Sequence, residues 1–235
     1  MVTMLNLHLQ LISDATFGRG DGVVGLVDEE ITHDPATGLP FVRGRVLKGL
    51  LVEECANILY ALQGQAVQTQ MRTAANYLFG RPGSQLGDDA NMHVGAAHLP
   101  LELRQVVKYV LKTTVDREKW TAADVLESLT AVRRQTAVDE KRGAPERGSL
   151  RAMRVLLRQT ELTAQLTFTD DVSATSDASK HTHTLPLLAA CVAGLRRGGS
   201  GRNRGRGRLE VWLADKATMQ DYLAQFEALI KGGTS

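Results

Sequence analysis

Leu5-Asn-Leu-His-Leu-Gln-Leu11 alternates leucine with polar residues at every step. A period of two places successive side chains on opposite faces of a β-strand, so this strand has one apolar and one polar face. Strands of this kind belong to antiparallel sheets that are covered on one side only. We therefore predict an α+β fold in which helices cover one face of an antiparallel sheet.

The rest of the chain supplies the elements of such a fold. Helical spacing of apolar residues and helix-ending glycines predict helices over 44–64, 69–79, 121–132, 184–195 and 215–231. Alternation predicts strands over 92–94 and 208–213 and one or two strands over 150–169. Residues 101–115 have weak strand or helix character, and the glycine-rich stretch 17–40 favours no regular element.

Composition limits the class of protein. The 235 residues are 43% hydrophobic and 23% charged, which is typical of a globular domain, and the net charge is only +2. Two cysteines exclude a disulfide framework and a four-cysteine zinc site. The longest apolar run, 185–195, has about half the length that spans a bilayer. We expect a cytoplasmic protein without membrane association. Aromatic residues, at 5%, are too few for base stacking to be the main binding device.

Residues 194–208, GLRRGGSGRNRGRGR, hold six glycines and six arginines between a predicted helix and a predicted strand. Glycines let the backbone approach a ligand, and arginines bind phosphates through two parallel hydrogen bonds. The segment ends in neither Gly-Lys-Ser nor Gly-Lys-Thr, and it precedes a strand, which excludes a P-loop and a dinucleotide-binding motif. We interpret it as a loop that binds nucleic-acid phosphates; the alternative is a solvated basic linker.

A second basic group, Arg43, Arg45 and Lys48, lies at the start of the first predicted helix. The exposed N–H groups and the dipole at a helix N-terminus favour anions, so these cations would add to a phosphate site. The alternative interpretation is solubilising charge where a loop meets a helix.

An acidic group, Asp28-Glu29-Glu30 with Asp34, lies in the stretch without regular structure. Carboxylates near phosphates need a divalent cation, and oxygen ligands suit Mg²⁺ or Mn²⁺. A carboxylate could instead act as a general base, and an exposed acidic turn is the plain alternative. His181 and His183 match no common zinc spacing and indicate a capping or surface role, whereas His8 lies on the polar face of the first strand.

Four motifs, in order along the chain, resemble those of the RAMP superfamily, the backbone subunits of type III CRISPR effector complexes. The first combines Gly25-Leu-Val-Asp28, Asp34-Pro-Ala-Thr-Gly38-Leu-Pro40 and Arg43-Gly-Arg-Val-Leu-Lys-Gly49. The others are Leu78-Phe-Gly80 with Ala96-Ala-His-Leu99, the segment Arg134 to Ala144, and the glycine-rich 198–208. The resemblance implies a single ferredoxin-like, RRM-related domain over 1–235. Its acidic loop would be 17–42, its mobile or hairpin-like thumb insertion 133–149, and its glycine/arginine-rich loop 194–208.

The resemblance also implies a function. Such a subunit binds guide RNA, stacks on copies or homologues of itself and on other RAMP-family and large effector subunits, and meets target RNA at the thumb. In cleaving members the loop aspartate, here Asp28, promotes Mg²⁺- or Mn²⁺-dependent endoribonuclease cleavage of target RNA beside a 2′-hydroxyl, as a metal ligand or as a base. The expected RNA-binding residues are Arg43, Arg45, Lys48, Arg134, Arg196, Arg197, Arg202, Arg204 and Arg206.

The chain departs from the family pattern at several motif positions. Arg43 replaces a proline, Arg45 and Val46 replace two serines, and Ala96 replaces an aspartate. These departures suggest a divergent branch such as subtype D. They leave open a non-catalytic RNA-binding scaffold and a guide-processing endoribonuclease that uses His181 or His183. A structural protein without RNA contact is the third class, and it would leave both basic groups without a role.

Overall fold

A computed structural model describes the chain over 3–23, 26–81, 90–113, 120–139, 141–144, 146, 148–169 and 182–232. Its strands are β1 (Met4–Leu11), β2 (Phe41–Val42), β3 (Met92–Val94), β4 (Ala97–His98), β5 (Thr130–Gln135), β6 (Arg151–Leu156), β7 (Glu161–Phe168) and β8 (Leu209–Leu213). Its helices are α1 (Gly44–Ala61), α2 (Gln68–Phe79), α3 (Leu101–Thr113), α4 (Ala122–Leu129), α5 (Thr184–Gly194) and α6 (Lys216–Gly232).

The main sheet has strand β1 near its centre. Its order is β2-β4-β7-β1-β8, with β3 also paired to β7, and all of these pairings are antiparallel. Leu7, Leu9 and Leu11 are at most 1% exposed, whereas the polar residues between them lie on the other face. The one-sided α+β sheet predicted from residues 5–11 is therefore confirmed.

Helices α1, α2, α5 and α6 pack around one another on the apolar face of the sheet. Helix α5 runs through the middle of this layer, and every residue from Thr184 to Val192 is buried. Helix α3 occupies the stretch whose character was ambiguous, and it packs Val107 and Leu111 against the core. In the part of the chain that the structure describes, no helix has the length and apolar content to cross a bilayer.

Helix α4 begins as predicted and ends earlier than predicted. The Asp124 N–H donates to the Thr121 hydroxyl at 3.3 Å, and the Thr121 N–H donates to the Asp124 carboxylate at 2.8 Å, which closes a capping box. The helix stops at Leu129 because the next six residues pair with β6 as strand β5. Strands β5 and β6 form a separate two-stranded ladder, and the described residues between Gln135 and Arg151 connect its two strands.

Candidate nucleic-acid interface

Three separate segments line one open cavity of about 650 Å³. They are the acidic loop, the base of the β5–β6 hairpin and the glycine/arginine-rich loop. The acidic loop and the glycine/arginine-rich loop were singled out from sequence, whereas most of the hairpin base was not. The fold brings the two loops together although more than 150 residues separate them in the chain. The side chains and backbone of these segments at the cavity include Asp21, Asp28, Glu29, Gln135, Arg151, Ser200 and Arg204.

Asp28 is held at this cavity by strand β6. Its backbone N–H donates to the Ala152 carbonyl at 2.8 Å, and the Ala152 N–H donates back to the Asp28 carboxylate at 2.6 Å. The side chain is nevertheless exposed. Two hydrogen bonds to one strand residue therefore fix the direction of an acid that solvent and ligands can reach.

Glu29 and Glu30 have different surroundings although they are adjacent. The Ser200 hydroxyl donates to the Glu29 carboxylate at 2.5 Å, which joins the acidic loop to the glycine/arginine-rich loop. Glu30 is only 2% exposed and pairs with the Arg154 guanidinium at 2.8 Å. Asp34 lies elsewhere, where its carboxylate accepts the Ala36 N–H of a turn. The acidic group is thus divided into cavity residues, a buried structural acid and a turn residue.

Two glycines of the basic loop are required for packing within the protein. Gly199 and Gly207 have φ values of +83° and +66°. A Cβ on Gly199 would lie 2.4 Å from the Thr16 carbonyl, and one on Gly207 would lie 1.9 Å from the Gly198 carbonyl. Both positions therefore exclude side chains, because the loop backbone folds directly onto the chain and onto itself. At these positions the glycines serve the loop's own shape instead of close approach to a ligand.

The arginines of the same loop have unequal surroundings. Arg204 is exposed and lines the cavity. Arg202 also lines it, but its guanidinium donates to both Glu53 carboxylate oxygens at 2.8 and 2.7 Å. These bonds hold the pKa of the Glu53 carboxyl below its ordinary value. Arg206 lies half-buried against the Met153 sulfur. Arg204 is therefore the cation of this loop best placed to meet a phosphate in the cavity.

The remaining predicted RNA-binding residues do not line this cavity. Arg196 and Arg197 are exposed just after α5, and Arg134 is exposed on β5, opposite Ala152. Arg43, Arg45 and Lys48 begin helix α1. Along the helix axis, Arg45 lies roughly 12 Å and Lys48 roughly 8 Å from Glu53. The predicted RNA-binding cations therefore divide into those that line the cavity and those that lie outside its lining.

Helix α1 begins close to the sheet. A Cβ on Gly44 would lie 2.0 Å from the Val94 carbonyl, so only glycine fits at the first residue of the helix. Arg43, the residue before it, makes no side-chain capping bond. The glycine of the Arg43-Gly-Arg motif is thus explained by packing against β3, while the flanking cations stay available for binding.

The hairpin base contributes cavity residues that sequence reasoning missed. Gln135 ends β5, and Arg151, Ala152 and Met153 begin β6. Nothing in their local pattern marks them, because a strand end with one polar or charged residue is common. Their role follows only from the pairing of β5 with β6 and of Ala152 with Asp28.

A metal ion in this cavity would need ligands beyond the side chains that the structure describes. Among the described residues, no group of three or more histidine, cysteine, aspartate or glutamate side chains could hold one. Asp28 offers a single carboxylate, whereas Glu29 is engaged by Ser200 and Asp21 by Arg19. Mg²⁺ commonly binds through one or two carboxylates together with substrate phosphates and water. The residues present therefore fit a cation shared with a phosphate and do not fit a protein-only metal centre.

His183 lies away from the start of the glycine/arginine-rich loop. His181 is outside the described residues. His183 precedes α5, and burial lowers the pKa of its imidazole. The glycine/arginine-rich loop starts at the opposite end of this eleven-residue helix, about 16 Å further along. His183 is thus not placed to act on RNA held by that loop.

Comparison with known proteins gives matches in structure alone. No family model matches the chain, and no curated protein matches its sequence. A chain in the cryo-EM structure of type III-B Cmr-beta bound to cognate target RNA superposes with a TM-score of 0.60. The match covers 94% of this chain and 99% of that one at 12% identity. The fold is that of a CRISPR-complex chain.

Two further structures give the same result. A chain of type III-B Cmr-beta in the apo state matches with a TM-score of 0.59 at 12% identity, over 91% of this chain and 98% of that one. A chain of a type IV-B CRISPR complex matches with a TM-score of 0.56 at 12% identity, over 92% of both chains. The ferredoxin-like α+β architecture expected from the resemblance is thereby confirmed, whereas the subtype D assignment has no support from these matches.

Proposed function

We propose that this chain is a guide-RNA-binding backbone subunit of a type III CRISPR effector, in which Asp28 promotes metal-dependent cleavage of target RNA. The observation that carries the proposal is the shared cavity of the acidic loop, the hairpin base and the glycine/arginine-rich loop. The fixed, exposed carboxylate of Asp28 and the exposed guanidinium of Arg204 line the same cavity. This arrangement suits an RNA strand whose phosphate is bound by the arginine and whose 2′-hydroxyl is within reach of the carboxylate as a general base. The fold of type III-B CRISPR chains supports the same assignment.

The residues that line the cavity have different roles in the proposed reaction. Arg204 binds and neutralises a phosphate, and the hairpin base bounds the strand on the other side. The Ala152 N–H keeps the Asp28 carboxylate in one orientation, where it holds a cation or takes the proton of a 2′-hydroxyl. A Mg²⁺ or Mn²⁺ ion held by Asp28 and the RNA would neutralise charge at the scissile phosphate. The proposed partners are guide RNA, target RNA and neighbouring effector subunits.

One observation favours a second candidate, a scaffold that binds RNA without cutting it. Asp28 brings a single carboxylate to the cavity, and one of its oxygens already accepts the Ala152 N–H. Such a subunit would use the same arginines and the same cavity. The two candidates share their RNA binding and differ in the role of Asp28.

RNA binding is tested through its dependence on salt. We expect Arg202→Ala/Arg204→Ala/Arg206→Ala to weaken binding of a short single-stranded RNA at least about tenfold, because charge-assisted hydrogen bonds are lost. Each lost phosphate contact should flatten the slope of log affinity against log salt by about 0.7. We expect a total change of about 1 to 2 for the three arginines, because Glu53 already neutralises part of the charge of Arg202. Fluorescence anisotropy over a salt series measures both quantities.

The matched control removes one exposed arginine that does not line the cavity. Arg72 lies on α2, and Arg72→Ala should leave the salt slope unchanged. Arg204→Ala alone should flatten the slope by about 0.7. A triple variant with the wild-type slope would show that this loop does not bind RNA phosphates.

A further inference from the structure

The uncovered face of the sheet carries one row of side chains across five strands. Backbone pairing aligns Trp212 with His8, His8 with Thr163, Thr163 with His98, and His98 with Phe41. Four of these five side chains are rings, and Thr163 is the exception. This row shares no residue with the cavity of the proposed function.

Ring pairs lie on either side of Thr163: His8 and Trp212 are stacked, whereas Phe41 and His98 are tilted by 30° to each other. His8 and Trp212 lie parallel within 11°, with ring centroids 5.3 Å apart, and Phe41 and His98 lie 5.4 Å apart. The far side of Trp212 is covered by the Lys216 ammonium, 5.1 Å from the ring centroid. Thr163 is the one member of the row without a ring, and its hydroxyl lies 3.2 Å from the His8 Nδ1. The open place is the cavity above Thr163, which His8 and His98 also line.

The size of this gap matches one flat ring. Neighbouring strands lie about 4.8 Å apart, so the backbones at His8 and His98, two strands apart, lie about 10 Å from each other. A ring inserted midway would lie about 5 Å from each histidine, which is the spacing that His8 and Trp212 already adopt. The gap opens into a cavity of about 570 Å³, bounded on one side by the start of α3.

Polar groups surround the gap at the level of the ring edges. Asn6 and Gln165, the next pair along β1 and β7 on this face, both line the cavity. Arg104 of α3 also lines it, and its buried Nε has no hydrogen-bond partner. A buried guanidinium N–H without an acceptor is costly unless a ligand supplies one.

The charges indicate what kind of flat ring fits. Glu102 and Glu161 line the same cavity, which disfavours a phosphate between the histidines and offers acceptors to ribose hydroxyls. Amides and a guanidinium at the ring edge suit the acceptors and amino groups of a nucleobase. Burial and the charges of Arg104 and Lys108 lower the pKa of the His98 imidazole, against the opposite effect of Asp34.

We propose that the gap above Thr163, between His8 and His98, binds a single nucleobase of a ribonucleotide by stacking, with Arg104 as a hydrogen-bond donor to its edge. The base could belong to a free nucleotide or to a single-stranded RNA. This site is independent of the phosphate-binding cavity, and it is a local stacking site in a chain that has few aromatic residues.

The test uses the full chain and the four ribonucleoside 5′-monophosphates, with ribose 5-phosphate as the control ligand. We expect at least one nucleotide to bind by calorimetry and to shift the ring signals of His8 and His98 in NMR spectra, whereas ribose 5-phosphate does neither. Thr163→Tyr fills the gap with its own ring and should weaken binding at least about tenfold, since stacking of a base contributes a factor of about 5 to 150.

Matched variants separate the gap from the sheet around it. Thr167→Tyr adds the same ring on the same face of β7, four residues away, and should bind nucleotides like the wild type. His98→Ala should weaken nucleotide binding about fivefold or more. This variant provides a second test of the gap in case Thr163→Tyr lowers the melting temperature of the protein. A tetranucleotide that binds more tightly than its mononucleotides identifies an RNA strand as the source of the base, and equal affinities identify a free nucleotide.

Three results would overturn the proposal. One is equal binding of ribose 5-phosphate and nucleotides, which would identify a phosphate site. Another is undiminished nucleotide binding by both Thr163→Tyr and His98→Ala. The third is a shift of the His8 and His98 signals by indole or tyrosine amide with none by any nucleotide, which would mean that the gap receives a protein side chain.

Discussion

In an assembled effector complex, Asp28→Asn is expected to slow target-RNA cleavage by about 10² to 10⁴-fold, the usual contribution of a positioned acid or base. Asparagine has nearly the same shape, and its amide oxygen can still accept the Ala152 N–H that now donates to the carboxylate. The substitution therefore removes the charge and the basicity without moving the loop. Guide and target binding should stay within about twofold of the wild type, because Arg204 and the hairpin base are unchanged.

The measurement is a time course of labelled target RNA with Mg²⁺ or Mn²⁺, resolved on a denaturing gel. Asp21→Asn is the matched control, because Asp21 lines the same cavity and pairs with Arg19. We expect the wild-type complex to cleave a target with a 2′-deoxy sugar at the scissile position as slowly as the Asp28→Asn complex cleaves the all-RNA target. If every cut persists at the wild-type rate in Asp28→Asn, the subunit is an RNA-binding scaffold and Asp28 is an ordinary loop acid.

Periodicity was sufficient to predict the sheet, because a one-sided strand such as Leu5 to Leu11 records its two faces directly in the sequence. Helix α3 was ambiguous for a physical reason. It packs Val107 and Leu111 inward while Val106 and Tyr109 are exposed, so adjacent apolar residues lie on both its packed and its exposed side. The end of α4 was placed too late because residues 130–132 owe their strand conformation to β6, twenty residues or more away.

The site was predicted in its segments and not in its details. Asp28 and Glu30 are two residues apart, and the sequence treats them alike. Only the fold shows that Glu30 is buried against Arg154, 124 residues away, while Asp28 stays exposed. Arg202 is likewise distinguished from Arg204 by a partner 149 residues away. Such ion pairs depend on the topology of the whole fold. A local sequence motif therefore identifies a charged residue but does not show whether that residue pairs within the protein or faces a ligand.

The ion pair between Glu30 and Arg154 is expected to be the most sensitive polar contact for stability. Glu30 is 2% exposed, and its carboxylate accepts the Arg154 Nε–H at 2.8 Å and the Ile31 N–H at 3.0 Å. The Arg154 guanidinium also donates to the Thr130 hydroxyl at 3.1 Å, so the pair ties the acidic loop to both strands of the hairpin. Glu30→Gln would leave the cation of Arg154 without its counter-charge in a largely buried place.

Removing one partner of a buried pair costs about 3 to 5 kcal/mol, so we expect Glu30→Gln to lower the melting temperature by about 6 to 20 °C in a domain of this size. Glu227→Gln breaks the exposed pair with Lys231 and should change stability by no more than about 0.5 kcal/mol. The double variant Glu30→Gln/Arg154→Met removes both charges and should recover much of the loss, because the cost lies in the unpaired charge. Calorimetric unfolding of the four proteins makes the comparison. A Glu30→Gln variant as stable as Glu227→Gln would mean that the acidic loop is held by its backbone bonds to β6 and that this ion pair is dispensable.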